Sequence, residues 1–331
     1  MRRWRGLDFL PGSWGRCVLT IGVFDGVHRG HQALIGRAVE LAKERDLPSV
    51  VLTFDPHPSE VVRPGSHPAQ LTSLNRKAEL VEELGADVFC VMPFTAELAR
   101  LPADEFVHEL LVERLHVAAV VVGQNFTFGH HAAGDVAMLR TLGHRFGFVT
   151  EGASMVTVPR NGAGTDPEMV FSSTYTRSCI DAGDVVAAAA ALGRPHRLEG
   201  IVVRGDGRGR ELGYPTANLS TGRHAAVPAD GIYACWFVHD GPGSHNRTEP
   251  SPVPRRLPAA VSVGTNPTFS GRERRVEAFV LDLDEDLYGQ RVALDFVARL
   301  RDMERYDTIE ELVEQVGNDV RRTRELLSAA D

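Results

Sequence analysis

The chain has 331 residues, 43% hydrophobic and 24% charged, which suits about two soluble domains of ~150 residues each. A formal net charge of −8 at pH 7 excludes a protein that holds nucleic acid through overall basicity. The longest apolar runs, near Val117–Val122 and Val185–Leu192, fall short of the ~18 residues a membrane span needs, so no membrane partner is expected. Cys17, Cys90, Cys179 and Cys235 lie far apart, without the paired spacing of zinc or redox sites. They predict small buried thiols in a reducing compartment. Asp8, Pro11 and Gly12 interrupt the basic N-terminal stretch before an export signal forms, so the cytoplasm is the expected location.

From the N-terminus, Cys17–Val23 reads as a buried strand followed by a glycine-rich turn. From His31 the apolar positions Leu34, Ile35, Ala38, Leu41 and Ala42 have helical spacing. Strand Ser49–Phe54, helix Arg76–Leu84, strand Asp87–Met92, helix Ala103–Leu115 and strand Val117–Val122 follow. This alternation implies right-handed crossovers and a parallel sheet covered on both faces. Such sheets bind ligands beyond the carboxyl ends of their strands.

The texture changes near residue 180, which divides the chain into domains 1–183 and 184–331. A helix over Val185–Leu192 stops at Gly193, Arg194 and Pro195. Short strands then follow without helices between them: Arg197–Val203, Ile232–Val238, Ala259–Val263, Arg275–Leu283 and Val292–Leu300. Asp240–Pro258 is a polar, proline-rich surface loop. An amphipathic helix over Thr308–Leu327, with Ile309, Leu312, Val313, Val316 and Val320 on one face, closes the chain. The pattern suggests a small β-barrel with a helical lid or plug.

The segment GVFDGVHRGH (Gly22–His31) joins the first strand to the first helix. Its glycines allow close backbone approach, and the helix N-terminus offers unpaired N–H groups to an anion. His28 and His31, three apart, have the chemistry to donate to a phosphate that gains charge in a transition state. A zinc pair is the alternative, but no further His or Cys motif completes a ligand set. No zinc or haem site is therefore expected.

This motif resembles the signature of the bacterial FAD synthetase branch of the HxGH nucleotidyltransferases. The resemblance implies a Rossmann-like α/β fold and transfer of AMP from ATP to an FMN phosphate, with His28 and His31 on the ATP phosphates. It places Gly22, Phe24, Asp25 and Gly26 at the nucleotide. TFDPHP (Thr53–Pro58) resembles a second loop of that family, placing Pro56 and His57 near flavin, with a structural role for His57 the alternative. GQNFTFG supplies Asn125 to the ATP site; the following His130 and His131 read as surface residues. SSTYTR supplies Ser173, Thr174 and Arg177 to the triphosphate, with Thr176 where the family usually has Ile. NGAGTDPE (161–168) is longer than the family norm.

In the second half, GDGRGRELGYPTAN (Gly205–Asn218) tempts a dinucleotide-fold reading, which fails on glycine spacing and on Pro215. Gly207, Arg208 and Gly209 suit phosphates, and Thr216 and Asn218 are hard oxygen donors for a phosphate-bound Mg²⁺. Glu277 interrupts an apolar strand, on one face with Phe279 and Leu281. Facing an apolar interior, its carboxyl would have its pKa raised, which suits a general base acting on a hydroxyl. An edge strand turning Glu277 to water is the alternative. Asp282, Asp284 and Asp286 lack the glycine and closing glutamate of a calcium loop and read as a solvated turn.

With SVGTNPTF (Ser262–Phe269), VEAFVLDLDEDLYG (Val276–Gly289) and the tail from Arg299, these motifs resemble the riboflavin kinase module. The resemblance implies ATP contacts at Gly207, Arg208, Gly209, Thr216 and Asn218, with Mg²⁺ on the last two. Glu277 would activate the ribityl 5′-hydroxyl, and Leu300 and Arg301 would lie near flavin. In this order the two motif sets resemble the bifunctional bacterial riboflavin kinase/FAD synthetases, with riboflavin, FMN and ATP as substrates. A nucleotidyltransferase with a different acceptor and a catalytically silent flavin sensor are the rival readings.

Overall fold

The computed structural model describes residues 1–7, 14–154, 156–157, 170–205, 207–239, 254–268 and 271–328; for 208, 211, 266–268 and 271–273 only the backbone is considered. The 161–168 segment and most of the proline-rich loop lie outside the described residues. Two compact units form: Met1–Pro68 with Thr72–Ser173, and Ala69–Leu71 with Thr174–Asp331.

The first unit is built on six strands: β1 (Arg2–Arg5), β2 (Cys17–Ile21), β3 (Ser49–Asp55), β4 (Val88–Pro93), β5 (Val117–Gly123) and β6 (Val149–Ala153). All pair in parallel, in the order β1-β4-β3-β2-β5-β6. Every residue of β2 is buried. Cys17, Leu19 and Ile21 join one apolar layer, while Val18 joins the other with Ile35, Val51 and Phe89. Burial on both faces explains why these strands read as continuous apolar runs.

Helix α1 (Arg29–Glu44) packs on this sheet through Leu34, Ile35, Ala38 and Val39; α2 (Pro58–Val62) and α3 (Leu74–Glu83) follow β3. The helix expected over 103–115 forms as Ala103–Phe106 continued by a π-helix, Val107–Arg114. Val107, Leu111 and Leu115 are fully buried at intervals of four, which wider turns keep on one face.

The second unit is a closed antiparallel barrel of β7 (His196–Val203), β8 (Ala217–Thr221), β9 (Gly231–His239), β10 (Arg255–Thr268), β11 (Gly271–Val280) and β12 (Arg291–Arg301). The strands close in the order β10-β11-β8-β7-β12-β9. Its interior is filled by Val261, Val276, Ala278, Phe237, Leu294 and Phe296 among others. The terminal helix, Ile309–Ser328, is no plug: it packs outside the barrel on β9, β10 and β12. Arg301 makes a bidentate ion pair with the buried Asp319 on that helix.

Three departures from the sequence reading have physical causes. β1 is a charged edge strand, RRWR, and lacks the apolar run that marks buried strands. β8, expected as a turn, buries only Ala217 and Leu219, and its polar alternate positions hide it. Residues 255–258, expected as loop, belong to β10, where Pro258 lies opposite Trp236.

All four cysteines are buried and unpaired in disulfides. Burial pushes the Cys17 and Cys90 thiols up to about 12 and Cys235 well above the ordinary range. Since the thiolate is the reactive form, the native protein should resist alkylation at pH 8. Mass spectrometry should find no modified cysteine before denaturation and four afterwards.

Candidate functional site

In the first unit the strand order reverses between β2 and β5, whose outward neighbours are β3 and β6. Crossovers leave such a point in opposite directions and open a crevice beyond the strand ends. A cavity of about 300 Å³ lies there, lined by Ile21 and Gly22 from the β2 end and Gly123 and Asn125 from the β5 end. Phe24, His28, His31 and Ser173 line it too. Six residues named from the sequence thus come together.

Local chemistry fixes the histidines. His28 caps α1, its Nδ1 accepting the His31 backbone N–H at 3.4 Å. An accepting Nδ1 places the proton of the neutral ring on Nε2. The two imidazoles stack with centroids 3.6 Å apart, and the Phe24 ring meets His31 edge-on at 5.2 Å. Gly22 makes room for that ring: a Cβ there would lie 3.0 Å from Phe24 Cζ.

Other named residues stand elsewhere. Asp25 is buried and does not line the cavity; its Oδ1 accepts from the Thr72 N–H at 3.2 Å, and the Gly26 N–H donates to Thr72 Oγ1 at 3.1 Å. The Ser173 hydroxyl donates to the Asp25 carbonyl at 2.8 Å. Thr174 and Arg177 belong to the second unit, where Arg177 Nε donates to the Ala69 carbonyl at 2.6 Å. His57 caps α2, its Nδ1 accepting the Ser59 N–H at 3.1 Å, and Pro56 follows a cis peptide; neither lines this cavity. His130 and His131 are exposed. Lys77 escaped the sequence reading because a polar residue inside an amphipathic helix carries no mark of its partner, and Thr72, in the bend before that helix, carries none either.

On the barrel, register assembles the second site. Asn218 lies opposite Glu277, Glu277 opposite Ser262, Ser262 opposite Ile232, and Ile232 opposite Arg301. One row thus crosses five strands. All five residues are half-buried, while their chain neighbours Ala217, Leu219, Val276, Ala278, Val261 and Val263 point into the core.

This corrects the expected orientation of Glu277. Alternation does put it on a face with Phe279, but that face is the outer one; Leu281 lies beyond the strand and is buried. Because β11 pairs on both sides, Glu277 is not on an edge strand either. It faces a groove between barrel and terminal helix. The Thr216 hydroxyl lies 3.4 Å from Glu277 Oε2.

Two cavities meet at these residues. One, of about 240 Å³, is walled by Tyr214, Phe279, Leu312, Val313 and Val316. The other, of about 440 Å³, is lined by Gly207, Asn218, Asp230, Thr265 and Arg275. Thr216, Ser262 and Glu277 border both. Gly209 borders both as well, and a side chain there would run into the Tyr214 carbonyl. Arg301 lines the apolar cavity; Leu300, at a register shift of β12, does not.

The chain matches the family model for FAD synthetase over residues 11–162 and that for riboflavin kinase over residues 192–327. It is 34% identical over 309 residues to the bifunctional riboflavin kinase/FMN adenylyltransferase of Escherichia coli strain K12, covering 93% of this chain and 92% of that protein. The Pseudomonas fluorescens protein of the same description is 36% identical over 323 residues, covering 97% and 96%. Among solved structures, one described as a macrolide-efflux protein from Streptococcus pneumoniae superposes with a TM-score of 0.83 at 28% identity, covering 98% of this chain and 99% of that one.

The contact between Phe24 and Gly22 has a direct consequence. Gly22→Ala should displace the Phe24 ring and, through it, His31. Nuclear magnetic resonance of ring-labelled histidine should show His28 and His31 shifted and the barrel's His196 and His239 unmoved.

Proposed function

The chain belongs to the bifunctional riboflavin kinase/FMN adenylyltransferases, and from that premise we propose how its two sites divide the work. The protein phosphorylates riboflavin to FMN with ATP, then transfers AMP from a second ATP to FMN, giving FAD and pyrophosphate. Its catalytic modules divide at residues 183 and 184, and a reducing cytoplasm suits its four unpaired thiols.

The observation that carries this reading is the position of Glu277 on the wall common to an apolar and a polar cavity. The apolar side, with Tyr214 and Phe279, suits the flavin ring, and Arg301 stands at its border. The polar side suits the ATP phosphates, approached by Gly207, Arg208 and Gly209. A ribityl hydroxyl entering from one side meets a γ-phosphate entering from the other. Glu277 takes the hydroxyl proton as the oxygen bonds to phosphorus and the bond to ADP breaks. The carboxylate acts here through position rather than through burial in the core.

The donors beside it fit a magnesium ion: a hydroxyl from Thr216 and an amide oxygen from Asn218, both hard ligands next to a carboxylate. Bound with the phosphates, the ion supplies charge neutralisation. Thr216 and Asn218 would hold it, Asn218 from β8 opposite Glu277 and Thr216 from the residue just before that strand.

In the first unit, FMN attacks with a phosphate oxygen that is already anionic, so no base is needed. The new bond forms to the α-phosphorus of ATP as the bond to pyrophosphate breaks. His28 and His31 donate to phosphate oxygens as charge shifts across them. Gly22, Phe24 and Asn125 shape the nucleotide pocket and Ser173 closes it. Asp25 and Gly26 support it through Thr72, and Pro56 and His57 serve the flavin.

Purified protein given riboflavin, ATP and Mg²⁺ should form FMN and then FAD by chromatography. His28→Ala or His31→Ala should lower FAD formation by about 10²-fold or more and leave FMN formation intact. Glu277→Ala should lower riboflavin phosphorylation by about 10²–10⁴-fold and spare FAD formation from added FMN. Loss of both activities in any one folded variant would contradict independent sites.

A further inference from the structure

The loop between β2 and α1 contains three left-handed residues: Phe24 at φ 50°, Gly26 at φ 81° and Val27 at φ 39°. For Phe24 and Val27 this backbone is strained and persists only where the surroundings impose it. Those surroundings are polar and buried. The Val23 carbonyl, immediately before Phe24, accepts two hydrogen bonds: one from Lys77 Nζ at 2.8 Å and one from the Thr53 hydroxyl at 2.9 Å. Thr72 ties down Asp25 and Gly26 one step further along. Thr53, Thr72 and Lys77 do not line the nucleotide cavity.

Lys77 is 4% exposed, although it sits on the amphipathic helix α3 among Ala78, Leu80 and Val81. Burial lowers its pKa, against the pull of the Asp25 and Asp55 carboxylates. A buried ammonium is costly where an apolar chain of the same length would fill the space. Its hydrogen bond falls on the carbonyl preceding the residue whose ring touches His31. The sequence of contacts runs from Lys77 to Val23, along the backbone to Phe24, and across the ring to His31, which stacks on His28.

We propose that Lys77 is a positioning residue for adenylyl transfer: anchored on the Val23 carbonyl, it fixes the turn that presents Phe24, His28 and His31 to the nucleotide. The inference rests on the reading that the first site transfers AMP. A turn that drifts weakens interactions that strengthen in the transition state, so the loss falls on kcat.

The test uses the full chain with Lys77→Met, Lys77→Arg and Thr53→Val, and with His28→Ala alongside. FAD formation from FMN and ATP is measured beside riboflavin phosphorylation, with protection of the buried Cys17 and Cys90 from alkylation as the reference for folding of the first unit. Lys77→Met and Thr53→Val should each lower kcat for AMP transfer about tenfold or more, with KM for ATP within about threefold. Riboflavin phosphorylation should stay unchanged, and Lys77→Arg, which keeps a cationic donor, should recover part of the lost kcat. Should Lys77→Met expose Cys17 and Cys90 through misfolding, Thr53→Val decides. Unchanged kcat beside a crippled His28→Ala would overturn the inference alone, as would a loss confined to KM. Full AMP transfer in His28→Ala would overturn the site assignment, and the inference with it.

Discussion

Backbone register is the constraint on which both sites rest. A strand can present a side chain only to one face or the other, and a parallel sheet can open a crevice only where its order reverses. In the first unit that reversal brings Gly22 and Asn125, about a hundred residues apart in sequence, to one cavity. In the barrel, antiparallel pairing aligns Asn218, Glu277, Ser262, Ile232 and Arg301 while their neighbours fill the core. The barrel core therefore does two jobs: its apolar side chains stabilise the closed sheet, and by occupying the inner face they confine the polar row to the outer one.

The two sites treat phosphate differently for a chemical reason. An FMN phosphate is charged before it reacts, so adenylyl transfer asks for donors and orientation rather than a base. A ribityl hydroxyl must lose a proton, so its phosphorylation asks for a base; Glu277 stands where an apolar and a polar cavity adjoin. Neither arrangement requires the chain to be basic overall, which reconciles a net charge of −8 with two polyanionic nucleotide substrates.

Much of this was legible in the amino-acid sequence. The strand-turn-helix setting of Gly22–His31 pointed to the first cavity, which Gly22, Phe24, His28 and His31 line. The existence of the buried strands followed from their apolar runs. Orientation was harder to read. Alternation places Glu277 with Phe279, yet the face that is the core depends on closure of the barrel, and Phe279 lies with Tyr214 on the outside. The charged edge strand β1 and the short polar strand β8 lacked the pattern that marks their buried neighbours. Asp25 sits in the motif, while its partner Thr72 lies 47 residues away in sequence. Long-range pairing of that kind leaves no periodic trace.

If one chain holds two phosphate-transfer sites acting in series, isotopic label distinguishes the donor atoms. Riboflavin is incubated with ATP carrying ³²P at either the γ or the α position, and the flavins are separated. The account predicts γ-label in both FMN and FAD, and α-label in FAD alone. Label from the α position in FMN, or FAD formed from riboflavin without γ-label, would contradict it.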